Sequence, residues 1–181
     1  HYCGDVLLVN DGSTDCSMER VHHCVEKKPV KVIEHPINLG YGRSLIDGFR
    51  FAIEGGYETA VSMDCDWQHQ PQHVPEFFDQ LGDTDILSGS RYPKHFEEDT
   101  DAPIERRTIN HTITEEINQV TGFQLTDSFC GFKAYRVAAL KKMDLTEEGY
   151  AFPIQFWIQA FALKLSVREM AVARIYTGAA R

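Results

Sequence analysis

Thr59 to Pro71, TAVSMDCDWQHQP, changes character in its middle. Thr59 to Met63 has the apolar, partly β-branched composition of a short strand. It ends in Asp64-Cys65-Asp66. On an extended backbone side chains two apart share a side, so Asp64 and Asp66 are expected to project together. Two carboxylates without an adjacent Lys or Arg repel each other unless a cation sits between them. Such an oxygen donor set suits a hard divalent ion, Mg²⁺ or Mn²⁺. An ordinary acidic turn has the same three letters, so the pair alone decides little about chemistry. It does decide a step of architecture, because Pro71 and Pro75 then flank the start of a helix, His73 to Leu81.

The same step recurs towards the N-terminus. Asp5 to Val9 (DVLLV) is a continuous apolar run, as in a strand buried on both faces of a parallel sheet. It stops at Asn10-Asp11-Gly12-Ser13-Thr14-Asp15, where Gly12 permits a tight turn and Ser13, Thr14 or Asp15 can cap a helix over Cys16 to Glu26. Pro29 ends that connection and Val30 to Glu34 forms a second strand. The loop His35 to Gly42 (HPINLGYG) has Gly40 and Gly42, which let backbone approach an adjacent loop or a ligand. Arg43 to Ile53 then carries Leu45, Ile46, Phe49 and Ile53 at helical spacing and closes at Gly55-Gly56.

Towards the C-terminus, Asp85 to Ser88 is a strand followed by Gly89-Ser90-Arg91-Tyr92. Residues 93–103 are polar, acidic and aperiodic, which predicts a mobile loop. Ile104 to Val120 is a helix with Ile109, Ile113, Ile117 and Val120 on one face, and Phe129 to Tyr135 reads as a strand. Val137 to Met143 is a short helix, Tyr150 to Leu165 an aromatic-rich buried helix, and Val167 to Tyr176 an extended segment. Alternating strands and helices predict an α/β fold with a mostly parallel central sheet, mixed at one edge by the less regular second half. Ligands of open α/β sheets sit beyond the carboxyl ends of the strands. Asp11, Asp64, Asp66 and Arg91 all follow strand ends.

A chain of 181 residues supports one domain with a sizeable core. Its net charge of −9 argues against a nucleic-acid-coating surface, so a phosphorylated ligand would need a local metal or a small Arg cluster. Five scattered cysteines without a C-x-x-C pair fit free thiols in a reducing, cytoplasmic compartment. No run of about 18 apolar residues spans a bilayer. The chain opens on His1 close to a strand and closes on Arg181 soon after one, so it reads as a fragment truncated at both ends.

Five short motifs, VNDGSTD (Val9 to Asp15), NLGYG (Asn38 to Gly42), MDCDWQHQP (Met63 to Pro71), GSRY (Gly89 to Tyr92) and DSFCGFKAYR (Asp127 to Arg136), stand in the order and spacing of family 2 glycosyltransferases. The resemblance covers nearly the whole chain and is nearest to the dolichyl- or polyprenyl-phosphate sugar transferases. It implies the GT-A fold, a three-layer αβα sandwich, and an inverting transfer of sugar from a UDP- or GDP-linked donor. It divides the single domain into a nucleotide-sugar and metal half (1–92) and an acceptor half (93–181). It implies a base contact from Asp11 with its neighbours Gly12 and Gly40. Asp64 would lie near ribose and metal, Asp66 would be the firmest metal ligand, and Gln68 would join the metal shell. Arg91 would meet phosphate oxygens, and the GFKAYR segment would floor the sugar or acceptor site.

The chemistry suits these residue types. A nucleotide diphosphate leaves well only when its developing charge is neutralised, which a divalent cation on Asp66 does as a Lewis acid. An alcohol acceptor needs a carboxylate base, whereas a phosphate acceptor is already an oxyanion. Relatives carry an acidic residue in the helix after Gly-Tyr-x-Phe; here Gly149-Tyr150-Ala151-Phe152 leads to Gln155. That departure favours a polyprenyl phosphate over a saccharide acceptor, leaving Asp127 as the nearest alternative base or a loop anchor. Peripheral contact at the cytoplasmic face of a membrane follows from a lipid acceptor. The family's first strand, with its nucleotide contacts, would precede His1, and its Arg-rich motif would begin near Arg174 or Arg181.

Blander readings accompany these. His69 reads as stabilising its loop, Cys65 as buried and inert, and Tyr150, Phe152, Phe156, Trp157 and Phe161 as core. Trp67 either stacks on a ligand or covers its loop. Arg106-Arg107 either meets an acceptor phosphate or is solvated. Two other functions compete: a catalytically silent nucleotide-sugar-binding domain, which Gln155 keeps open, and a nucleotidyltransferase, which lacks its Gly-rich, basic phosphate loop.

Overall fold

The computed structural model describes residues 4–25 and 30–176; Glu26, Pro29 and Arg181, which figure in the sequence reading, lie outside them. Strand β1 (Val6–Asp11), helix α1 (Ser17–Val25), β2 (Val30–His35), α2 (Tyr41–Glu54) and β3 (Thr59–Ser62) follow in order. A short 3₁₀ turn (Pro71–His73) leads into α3 (Val74–Leu81), then β4 (Ile86–Ser90) and α4 (Ile104–Thr121). Strand β5 (Lys133–Arg136), α5 (Val137–Leu140), α6 (Phe152–Ala162) and β6 (Val167–Ala171) complete the described fold.

β1 and β2 pair in parallel, and four further strands form a sheet in the order β3-β5-β4-β6. β4 and β6 are parallel, while β5 runs antiparallel to both of its neighbours. Three of these four strands therefore share a direction. The antiparallel strand is interior, however, where the sequence reading put the mixed pairing at an edge. β5 reaches that slot because Lys133–Tyr135 pairs with Ala60–Ser62 on one side and with Ile86–Ser88 on the other.

Period-2 alternation builds two cores on opposite faces of the sheet. Ile86 and Tyr135 face α2, α4, α5 and α6, joining Phe49, Ile117, Leu140, Phe152, Phe156 and Trp157. Leu87, Phe132 and Ala134 face α3, joining Phe77, Leu81 and Met170. Trp157 is fully buried and its indole N–H donates to the Ser128 carbonyl at 2.9 Å. Helices on both faces make the three-layer αβα sandwich that the family resemblance implies.

Several local expectations change. The inner face of α4 is Asn110, Thr114, Ile117 and Thr121, while Ile109 and Val120 face solvent. The reason is polar packing: Asn110 and Thr114 hydrogen-bond Asp127 and Ser128 rather than an apolar layer. Tyr150 and Phe161 are exposed, unlike Phe152, Phe156 and Trp157 of the same segment. Residues 93–103 are irregular yet pinned. Asp99 accepts from the Phe96 and Arg174 N–H groups, and the Thr100 N–H donates to the Arg174 carbonyl at 2.7 Å.

Candidate active site

β3 ends at Ser62, two residues before Asp64, so the Asp64–Asp66 pair lies on a bent loop rather than on extended backbone. Three contacts shape that loop. The Asp64 N–H donates to Nδ1 of His69 at 2.9 Å, and the Gln68 N–H donates to Oδ1 of Asp66 at 3.1 Å, an Asx turn. His69 is buried and stacks on Phe132, so it stabilises the loop as the sequence suggests. Since its Nδ1 accepts a hydrogen bond there, the proton of the neutral ring sits on Nε2. Its 3.9 Å approach to the Asp64 carboxylate is therefore not an ion pair. Burial also pushes its pKa down, against the pull of Asp64 and Asp66.

Between the two aspartates Cys65 is exposed, not buried, because the bend has replaced strand alternation. Trp67 is 85% exposed and sits at φ 65°, a conformation costly for a bulky residue. It does not cover its own loop.

Beyond β4, Arg91 and Asp127 form a buried pair. Asp127 accepts from Arg91 Nε at 2.6 Å, Nη2 at 2.9 Å and the Arg91 N–H at 3.2 Å. Asn110 Nδ2 at 2.7 Å and the Phe129 N–H at 3.2 Å complete the shell. Burial works to raise the Asp127 pKa, but the Arg91 hydrogen bonds and charge outweigh it and hold the carboxyl below its ordinary value. Nearby Lys133 is buried over the Trp157 ring, donates to the Cys130 carbonyl, and has its pKa lowered by that burial.

At the end of β1, Asp11 holds the 36–40 loop. It accepts from the Leu39 N–H at 2.7 Å and the Gly40 N–H at 3.0 Å, and pairs with His35 Nδ1 at 2.8 Å. Burial pushes its pKa up, yet these three bonds prevail and leave it lowered. His35 also reaches Asp47, which holds Arg43 and Arg50.

The glycines of this region serve backbone packing. A side chain on Gly12 would meet the Ile37 carbonyl carbon at 2.3 Å, and one on Gly40 would meet the Glu148 carbonyl oxygen at 2.3 Å. Of the two uses read for Gly40 and Gly42, the adjacent loop accounts for both. The Arg43 N–H donates to the Glu148 carbonyl at 3.0 Å, which occupies the N-terminus of α2.

Gln155, where a carboxylate was expected, clamps this same loop. Its Oε1 accepts from the Thr146 and Glu147 N–H groups at 2.9 and 2.8 Å, and its Nε2 donates to Thr146. Sequence reasoning noticed the residue but not this role, because the partner loop has no motif.

Asp64 and Asp66 are the carboxylates that could hold a metal, with the Gln68 side chain two residues on. Among the described residues no group of three or more His, Cys, Asp or Glu gathers into a cage. Two carboxylates from the chain, with the remaining positions left to diphosphate oxygens and water, is the donor set Mg²⁺ prefers at nucleotide sites. The residues fit such an ion.

The family described as Glycosyl transferase family 2 matches residues 5–144. The chain belongs to glycosyl transferase family 2. This family 2 domain is 29% identical over 172 residues to an undecaprenyl-phosphate mannosyltransferase of Micrococcus luteus, covering 93% of the chain and 70% of the relative. It is 28% identical over 180 residues to a polyprenol monophosphomannose synthase of Mycolicibacterium smegmatis, covering 95% and 68%. Among solved structures, glucosyl-3-phosphoglycerate synthase of Mycobacterium tuberculosis in complex with Mn²⁺ and UDP-glucose superposes with a TM-score of 0.68 at 17% identity. That match covers 96% of the chain and 60% of the synthase, so the chain spans less than two thirds of that structure's length. The fold is GT-A.

Proposed function

We propose that this domain transfers a hexose, with inversion, from a UDP- or GDP-linked sugar to the phosphate of a polyprenyl phosphate. The observation that carries the acceptor assignment is Gln155. Its amide is consumed in clamping the 146–147 backbone, so the face of α6 that would supply a general base offers none. An acceptor that is already an oxyanion needs no base. The names of the similar mannosyltransferases and synthases support the same choice.

On this reading Asp66, Asp64 and Gln68 hold a divalent ion against the donor diphosphate. When bound, the ion supplies Lewis-acid neutralisation of the leaving group. Asp11 keeps the 36–40 loop in place beside the base pocket, with Gly12 and Gly40 allowing the close backbone packing that holds that loop. Arg91, held by two of its nitrogens to Asp127, presents the rest of its guanidinium to phosphate oxygens. Asp127 sits among five donors and acts by fixing Arg91 rather than by taking a proton. Exposed Trp67 and Tyr150 give the domain aromatic groups for peripheral contact with the lipid surface that carries the acceptor, at the cytoplasmic face of the membrane. No helix among the described residues is long and apolar enough to cross a membrane.

The test is thermal stabilisation by UDP, GDP and their sugars, with and without Mn²⁺. Metal-dependent stabilisation that disappears in Asp66→Ala is the expected result; no shift with any of these nucleotides sinks the reading. Radiolabelled sugar recovered in a short polyprenyl phosphate, and not in a free saccharide, fixes the acceptor class.

A further inference from the structure

The Asp64 carboxylate rests directly on a glycine of the segment that leads into β5. A Cβ built on Gly131 would stand 2.5 Å from Oδ2 and 2.8 Å from Oδ1 of Asp64. Gly131 is not among the residues with positive φ, so no left-handed backbone conformation demands a glycine there. What forbids a side chain is the carboxylate above it.

The Cys130-Gly131-Phe132 turn cannot retreat. On its other side lies Gly89 of β4, whose own Cβ would stand 2.8 Å from the Phe132 carbonyl oxygen and 3.0 Å from Cys130 Sγ. The Gly89 N–H donates to that Phe132 carbonyl at 2.7 Å. Ser62 Oγ, itself within 3.0 Å of the Tyr135 hydroxyl, donates to the Gly131 carbonyl at 2.7 Å. The turn is thus wedged against β4 and pinned from β3. Asp64, with 39% of its side chain exposed, is the party that can move.

We infer that Gly131 is a positioning residue for Asp64: the bare Cα of a pinned turn sets the height at which this carboxylate presents its oxygens to the metal-diphosphate site. The inference rests on the reading of Asp64 given above. An alanine at 131 pushes the carboxylate outward by about 1 Å, the distance needed to restore ordinary contact. Metal ligands tolerate misplacement poorly, and loss of an outer-shell support costs about 10–100-fold in affinity.

Two measurements on the full chain test this. The first is the Mn²⁺ dissociation constant of the nucleotide-free protein, by electron paramagnetic resonance titration, for wild type, Asp66→Ala, Gly131→Ala and Ser62→Ala. Gly131→Ala is expected to weaken Mn²⁺ at least about tenfold, with Ser62→Ala acting in the same direction by a smaller factor. The second is a crystal structure of Gly131→Ala without metal, in which the Asp64 carboxylate is displaced. Mn²⁺ binding that Asp66→Ala abolishes and Gly131→Ala leaves unchanged overturns the positioning role while the site survives. If Asp66→Ala leaves Mn²⁺ affinity unaltered, the metal reading itself fails. The metal-free structure then judges the seat alone: a displaced carboxylate supports it and an unmoved one overturns it.

Discussion

Asp127 and Asp64 both follow from the sequence as acidic residues of the candidate site, and their surroundings could hardly differ more. Asp127 is fully buried, with five N–H groups converging on it from Arg91, Asn110 and Phe129. The Asp64 carboxylate is partly exposed, and among the described residues no hydrogen-bond donor reaches it. A carboxylate with its lone pairs filled holds structure, whereas one kept open at the end of a strand is available to a ligand. The contrast separates scaffold from site more sharply than residue type does.

The largest expected effect comes on the ligand side of that comparison. Asp66→Ala should lower kcat at least about 100-fold, since Lewis-acid neutralisation contributes several kcal/mol to the transition state. Its Tm without ligand should stay close to wild type in a fluorescence melt. The filled side should answer in stability instead. Asp127→Asn leaves the Arg91 guanidinium buried without its counter-charge and should cost about 3–5 kcal/mol in urea unfolding.

The same comparison has a pH signature. Asp127 has a lowered pKa in the folded protein, so at a pH near the unfolded value the unfolded chain binds more protons. Its contribution is complete above the ordinary carboxylate range, near pH 4, and is lost as pH falls through the lower folded value. Urea midpoints of wild type should therefore fall below about pH 4 more steeply than those of Asp127→Asn. Smallest of all is Trp67→Ala: at 85% exposure the change should move apo stability by no more than about 0.5 kcal/mol. Nucleotide-sugar or vesicle binding is where its loss should register.

Much of the first half was legible because its periodic segments are bounded by Gly, Pro, Asn and Asp. α2 and α3 lie within two residues of their expected limits, and β3 and β4, which share a direction, put Asp64 and Arg91 beyond their carboxyl ends. The second half resisted for a physical reason. β5 takes an interior antiparallel place that only long-range pairing specifies, and α4 turns a polar stripe inward to reach Asp127. The isoleucines of α4 suggested the wrong face because apolar spacing is silent about a buried hydrogen-bond network. Within the site, the aspartates were visible by spacing, but Gly131 and the Gln155 clamp were not. Each depends on a contact with a residue remote in sequence.

The chain has two tryptophans, and the fold assigns them opposite optical environments. Trp157 is sealed in the core and gives a constant, blue-shifted background, while Trp67 stands in water between Asp66 and Gln68. The molecule thus carries a native fluorophore beside its proposed metal ligands. With Trp157 as internal reference and Trp67→Phe as blank, occupancy of the loop can be followed by intrinsic emission in the unlabelled protein.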